Sequence, residues 1–277
     1  RNNTWNGIGG FPTDGDVLPV ELAPELAGSI DVEVLPADPG DLDLYLALAR
    51  RTGGPVLELA VGTGRLAVPL AEAGYEVTGV DLDRAMLDRA RTRVGRAAKA
   101  AARRLRLVEA DIDGLRLPDA GRYQLAILAL NSLMLLATRG RQAAAVRTLA
   151  DHLGTGGVAV VDVWLPDAED LARFDGRLVL EYARPDPATG RPVTKVAAAR
   201  HDAASGTVDL TTIHEEGGQG EGAVRWVRRD RLRLVSADEL RAFAEAAGLA
   251  VEQLAGGYDL GPLGAGGERA ILIATKA

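Results

Sequence analysis

Apolar positions in the first two thirds of the chain switch repeatedly between short continuous runs and helical spacing. Asp41 is placed to cap a helix through Leu44, Leu48 and Ala49. Val56–Ala60 is a short apolar strand after Pro55, and Arg65–Ala73 is a helix stopped by Gly74. The alternation continues with strand Glu76–Val80, helix Arg84–Ala98, and strands Leu105–Ala110 and Tyr123–Leu130. Helix Gln142–Leu153 and strand Gly157–Trp164 complete the series. Such spacing predicts parallel strands joined by right-handed crossovers, an α/β fold.

The pattern changes near Gly176. Arg177–Arg184, Pro192–His201, Thr207–Glu215 and Val224–Val235 read as consecutive strands with short turns, which predicts an antiparallel meander. A helix at Ala237–Ala247 lies between Ser236 and Gly248, and strands follow at Ala250–Leu254 and Arg269–Thr275. The division expected is an N-terminal arm or lid over residues 1–39, with one short helix around Pro19–Leu26. An α/β core over 40–175 follows, then an antiparallel insertion over 176–235, and 236–277 completes the core.

The 277 residues hold 39 Asp and Glu against 32 Lys and Arg, a net charge of −7, which argues against a nucleic-acid binder. The strongest basic run, Arg225–Arg233, alternates with Trp226, Leu232 and Leu234 and reads as a solvated or dimer-facing strand surface. There is no cysteine, which excludes disulfides, thiolate catalysis and Cys-ligated zinc. No apolar run approaches the ~20 residues of a membrane span, and no secretory signal is visible, so a cytoplasmic protein is expected. No His and carboxylate cluster suggests a metal.

The candidate chemistry centres on Leu57-Glu58-Leu59-Ala60-Val61-Gly62-Thr63-Gly64-Arg65-Leu66, where the first strand turns into a helix. Gly62 and Gly64 let backbone approach a ligand, and the helix start offers free N–H groups. The glycines also fit a dinucleotide fingerprint, with Asp81 as the ribose acid. Glu58 decides between the two. A carboxylate four residues before Gly62 repels a pyrophosphate and suits an ammonium group.

In this order the residues resemble the class I S-adenosylmethionine (SAM)-dependent methyltransferases. The resemblance runs over roughly residues 40–165. It implies a Rossmann-like, seven-stranded methyltransferase sheet, with the meander inserted after strand five. It also implies that Glu58, Ala60, Gly62, Thr63, Gly64 and Arg65 line the cofactor and that Asp81 grips the ribose hydroxyls. Leu82 and Met86 would flank adenine, Asp111 would meet its exocyclic amine with Ile112 against the ring, and Leu128–Asn131 would lie beside the reactive methyl. Gly154-Thr155-Gly156-Gly157 resembles the turn before strand five. Within the family, the Tyr45 helix, Asn131-Ser132-Leu133 and the meander are similar to bacterial glycine and sugar N-methyltransferases. Ala60 departs from the family's usual Gly, and its methyl is expected to require negative φ. Gln124 stands where Asp is frequent. Asn131 lacks the Pro-Pro-aromatic sequence of nucleic-acid amino-methylating enzymes.

Tyr45 is either a helix core residue or a cofactor-contacting phenol. His152, at a helix end, reads as structural, and His201 as a turn residue. His214, Tyr258 and Asn131 are the candidate catalytic residues, His214 as a base if its strand faces the cofactor cleft. Methyl transfer from a sulfonium needs chiefly a positioned nucleophile. The function expected is therefore transfer from SAM to N or O of a small organic acceptor, with no nucleic acid, membrane or metal involved. The alternatives are an NAD-linked oxidoreductase and a catalytically silent SAM-binding protein. The meander's edges need cover, which suggests a homodimer.

Overall fold

The computed structural model describes residues 40–185, 190–218, 221–264 and 266–277. The arm over 1–39 and its expected helix lie outside the described residues. The chain forms two units, one ending at Leu165 and resuming at Val235, the other spanning Pro166–Leu234. In chain order the first contains α1 (Leu42–Thr52), β1 (Val56–Leu59), α2 (Ala67–Glu72), β2 (Val77–Asp81), α3 (Arg84–Arg96) and α4 (Lys99–Arg104). It continues with β3 (Leu105–Glu109), β4 (Tyr123–Leu128), a 3-10 helix (Ser132–Leu136), α5 (Arg139–His152) and β5 (Leu153–Trp164). The second unit holds α6 (Ala168–Arg173), β6 (Asp175–Pro185), β7 (Pro192–Asp202), β8 (Thr207–Gly218) and β9 (Glu221–Arg233). The first then resumes with α7 (Ala237–Ala246), β10 (Leu249–Ala255) and β11 (Arg269–Lys276).

The first unit is built on a seven-stranded sheet in the order β10-β11-β5-β4-β1-β2-β3. Strands β1 to β5 run parallel, while β11 is antiparallel to both β5 and β10. Every residue of β1 is buried, as are Val158–Trp164 of β5, which explains their unbroken apolar runs. Helix α1 buries Leu44, Tyr45, Leu48 and Ala49 along one stripe. Strand β1 lies between β2 and β4, so the order reverses there and a crevice opens at the strands' carboxyl ends.

Several local expectations change. The helix expected over Arg84–Ala98 ends at Arg96, just after Gly95, where Ala97 turns extended, and α4 starts anew at Lys99. Strand β4 stops at Leu128 because Leu130 and Asn131 take left-handed φ of 47° and 64°. Gly154–Gly157 lies within β5 as an irregularity: the register with β4 jumps from Tyr123–Leu153 to Leu125–Val158. A Cβ at Gly157 would meet the Tyr123 carbonyl at 2.9 Å, so only glycine fits this close approach. The unit boundary after Leu165 places residues 166–175 with the meander, where the Phe174 carbonyl accepts the His201 N–H at 2.9 Å.

The second unit is a four-stranded antiparallel sheet in the order β6-β7-β8-β9. Lys195, His214 and Trp226 stand directly opposite one another on β7, β8 and β9. Lys195 and Trp226 are buried, and Lys195 pairs with the buried Glu181 at 2.7 Å. On the other face Arg225 and Arg231 are exposed and pair with Glu215 and Asp209 of β8. The basic run is thus largely neutralised within its own sheet.

Candidate cofactor site

Motif residues at the carboxyl ends of β1 and β2 converge on the crevice. Gly62 N–H donates to Asp81 Oδ2 at 2.7 Å and Asp83 N–H to Oδ1 at 2.9 Å, fixing the carboxylate with lone pairs to spare. Burial pushes the Asp81 carboxyl above its usual range, against the pull of these backbone bonds. Gly62, at φ 53°, has open space where a Cβ would be. Gly64, at φ 76°, instead packs against Val68 and Ala90. Thr63 is partly exposed between them.

Glu58 is buried, and one oxygen accepts the Ala67 N–H while Oε2 has no partner. Burial pushes its pKa up to about 8; Arg65 opposes the rise, and Asp41 and Asp81 add to it. Arg65 forks onto Asp41 with bonds of 2.6 and 2.7 Å. Asp41 therefore spends its carboxylate on Arg65 and makes no side-chain cap, although it occupies the N-cap position of α1. Tyr45 is fully buried, its hydroxyl has no partner, and burial followed by the charge of Asp162 pushes its pKa well up.

Ala60 corrects the expectation about φ. It sits at +55°, in the left-handed region, with its methyl in place. A non-glycine residue there costs roughly 1–2 kcal/mol, while a glycine gives back about 0.4–1 kcal/mol through the unfolded chain. Ala60→Gly is expected to raise Tm by no more than a few degrees and to leave cofactor affinity unchanged. A thermal melt falling by over 5 °C would show that the methyl makes packing contacts that outweigh its strain.

Further along the crevice, Leu82 is 63% exposed and Met86 is buried one turn into α3. Asp111 accepts the Asp113 N–H on one oxygen, and its other oxygen pairs with Arg141 at 2.8 Å. The acid expected at the adenine amine thus already carries a cation, and Arg141 is a residue the sequence did not single out. Ile112 is buried, with its carbonyl bonded by Thr148. Leu128 is buried at the end of β4.

Beyond β4 a buried acid organises the next turn. Asp162 of β5 accepts from Leu130 N–H at 3.2 Å and Tyr258 hydroxyl at 3.0 Å, and it pairs with Arg269. Asn131 Oδ1 accepts the Trp164 N–H, and Asn131 Nδ2 is buried without a partner. Asn131 therefore offers a donor and no acceptor. Tyr258 donates to Asp162, and burial together with that charge pushes its phenol far up, so it is not poised as a base. His214 lies in the meander, where burial, Lys195 and Arg228 push it down to about 3. His152 is buried in α5, accepting Leu117 N–H at Nε2 and facing the Thr148 carbonyl with Nδ1, a structural placement. Asp162 escaped the sequence reading, although a lone acid in Val160-Val161-Asp162-Val163-Trp164 was a usable signal.

A curated relative from Streptomyces venezuelae, a dTDP-3-amino-3,4,6-trideoxy-alpha-D-glucopyranose N,N-dimethyltransferase, is 31% identical over 73% of this chain and 78% of its own length. The chain belongs to the class I SAM-dependent methyltransferases. A family profile described as "Methyltransferase domain" matches residues 56–157 of this methyltransferase. It is also 28% identical to a cypemycin N-terminal methyltransferase of a Streptomyces species, over 74% of this chain and 76% of that one. Among solved structures it is similar to the CcbJ methyltransferase from Streptomyces caelestis, with TM-score 0.73 and 26% identity over 87% of this chain and 97% of that one. The sugar N-methyltransferase KedS8 from Streptoalloteichus sp ATCC 53650 shares the fold, with TM-score 0.70 and 22% identity over 97% of both chains.

SAM is the methyltransferase's cofactor, and the site's chemistry fits it. The unpartnered Glu58 Oε2 suits an ammonium, and the backbone-fixed Asp81 suits a vicinal diol. The exposed Leu82 offers an apolar face that otherwise meets water. A pyrophosphate, as an NAD-linked enzyme would place here, would oppose the ionisation of Glu58 and find no partner in it, whereas an ammonium pairs with the ionised form. No group of three potential metal ligands and no helix long and apolar enough to cross a membrane occurs among the described residues.

Proposed function

We propose that this methyltransferase transfers the methyl group of SAM to the amino nitrogen of a small hydroxylated acceptor, an amino sugar. Bound SAM supplies a methyl carbon already joined to its leaving group. The chain's task is then to hold cofactor and nucleophile in line. Glu58 would grip the methionyl ammonium, with Tyr45 and Arg65 beside it, and Asp81 would accept from both ribose hydroxyls. Leu82, Met86 and Ile112 would enclose adenine. Asp111, held by Arg141, would face the exocyclic amine, and Leu128 with Asn131 would border the methyl.

The observation that carries nitrogen over oxygen is the state of the three candidate catalytic groups. Tyr258 is a committed donor, the one unpartnered side-chain atom of Asn131 is its buried Nδ2 donor, and His214 is held down to about 3. None is tuned to take a proton from an alcohol near neutral pH. An amine that arrives deprotonated needs no such help. The similar proteins named above, which methylate an amino sugar or a peptide N-terminus, support the same choice.

A transfer assay with a dTDP-3-amino sugar and its 3-hydroxy analogue tests this. The amine is expected to be methylated and the alcohol to be inert. Equal turnover of the alcohol would overturn the proposal, and SAM binding without turnover on any acceptor would favour a silent binding protein. The proposal extends to a cytoplasmic homodimer formed through the meander, acting without nucleic acid or a membrane. The pairing of Arg225 and Arg231 with acids of their own sheet supports the exclusion of nucleic acid.

A further inference from the structure

We propose that Tyr258 orients the acceptor: its hydroxyl oxygen accepts an N–H of the amine and so turns the nitrogen lone pair towards the methyl carbon. This rests on the amino acceptor proposed above and assigns it a contact on the chain. The hydroxyl has one proton, and that proton is spent on Asp162 Oδ2 at 3.0 Å. Asp162 is itself paired with Arg269, and a carboxylate in that state only accepts. Burial, together with the Asp162 charge, keeps the phenol neutral. A hydroxyl oxygen also accepts through two lone pairs, and none of the described residues donates to this one. Tyr258 is therefore a fixed acceptor, and what fits it is a donor on the substrate. An alcohol offers one too, but it must lose its proton to attack, and a neutral phenol does not take it. An amine attacks with its N–H groups in place.

The hydroxyl is held in position by its own loop and by the core. Tyr258 sits in a tight turn, where Leu260 N–H donates to the Gly257 carbonyl at 3.0 Å. The base of the turn is closed by Gly256 N–H on the Gly261 carbonyl at 2.9 Å and by Gln253 Nε2 on the Leu260 carbonyl at 2.7 Å. The ring packs against the core cluster and lies under the Arg269 guanidinium, 5.2 Å from its centroid. Asp162 Oδ2 takes the Leu130 N–H as well, so the Tyr258 hydroxyl and the Leu130–Asn131 turn are neighbours on a single oxygen atom. That turn follows β4, which pairs with β1 so that Leu128 stands opposite Leu59, the residue before Ala60 of the cofactor motif. Asp162 also acts on the Tyr45 phenol, where only burial has a larger effect. The Tyr258 oxygen thus stands beside the turn that borders the methyl in the proposed complex, on the side of α1.

In the transfer the nitrogen lone pair forms the N–C bond while the C–S bond breaks and its electrons stay on sulfur. The nitrogen takes the positive charge and then loses one proton to water. A primary amine keeps an N–H for Tyr258 throughout. The secondary amine it becomes has one N–H left, and a tertiary amine has none. Transfer is therefore expected to end at the tertiary amine.

Tyr258→Phe keeps the ring and removes only the oxygen. Titration calorimetry on the full chain saturated with S-adenosylhomocysteine, at pH 8.5, compares a dTDP-3-amino sugar with its 3-deoxy analogue, which lacks the amine. Wild type is expected to prefer the amino sugar by roughly tenfold or more, and the variant by no more than about twofold. Turnover of the amino sugar is expected to fall roughly 10- to 100-fold, with S-adenosylhomocysteine affinity within about twofold of wild type. A merely structural role weakens both ligands alike, so a preference that the variant retains overturns the contact. S-adenosylhomocysteine binding weakened about tenfold assigns Tyr258 to the cofactor and overturns it as well. So does a quaternary product of the wild type, read by mass spectrometry. Each of these leaves the amino acceptor standing. A wild type that methylates no amine overturns that reading and the contact with it.

Discussion

Glu58→Gln is expected to weaken S-adenosylhomocysteine binding by roughly 10- to 100-fold at pH 8.5, and to abolish most of its pH dependence. A hydrogen bond to a charged group contributes about 1.5–3 kcal/mol, and each 1.4 kcal/mol is a factor of ten. In the empty protein burial holds Glu58 protonated up to about pH 8, and an ammonium is gripped by the ionised form. Below pH 8, binding must therefore expel a proton, and wild-type affinity is expected to rise with pH until it levels off above 8. Titration calorimetry in buffers of different ionisation enthalpy reads that proton directly.

The same group acts on stability with the opposite sign. Its folded pKa lies above its unfolded value, so between the two the folded state binds more protons and the empty protein loses stability as pH rises towards 8. Glu58→Gln is expected to flatten that loss, so the empty variant melts above the empty wild type at pH 8.5. Wild-type affinity that does not change between pH 6 and 8.5 would sink the assignment of Glu58 to the ammonium.

Asp162→Ala carries the second large effect. Asp162 is fully buried and forms an ion pair with the largely buried Arg269, as well as accepting from the Tyr258 hydroxyl and Leu130 N–H. Removing one member of a buried ion pair leaves the other uncompensated and costs about 3–5 kcal/mol, equivalent to a Tm fall of roughly 10 °C in a chain of this size. Arg269→Met in the same chain is expected to restore more than half, because it removes the stranded cation as well. Turnover is expected to stay low in the double variant, since the Leu130–Asn131 turn has lost its anchor. A single variant that melts within 2 °C of wild type would show that solvent compensates Arg269.

The strand and helix order was legible because buried parallel strands and amphipathic helices leave different periods in the sequence. Glu58 and Asp81 were legible because each is an acid at a strand end beside a glycine turn. The break between α3 and α4 was poorly marked: Gly95 precedes it, but Arg96-Ala97-Ala98-Lys99 reads as good helix throughout. The left-handed Leu130 was invisible for a related reason. Leucine has no preference for that conformation, and it is held there by Asp162, 32 residues further on. Asp41 was legible as a helix start, but the partner that takes its carboxylate, Arg65, is a tertiary fact. Local sequence announces elements and turn residues, whereas a buried ion pair is announced only by its two ends.

Strand β11 lies between β5 and β10, and Arg269 reaches back 107 residues to Asp162. During synthesis, then, β5 emerges and waits while the whole meander is made. Chains grow at ~5–20 residues per second, so Val158–Val163 lack their β11 neighbour for several seconds. The central sheet is completed only after the meander has been made, and a ribosome that stalls in the meander leaves an apolar strand edge open.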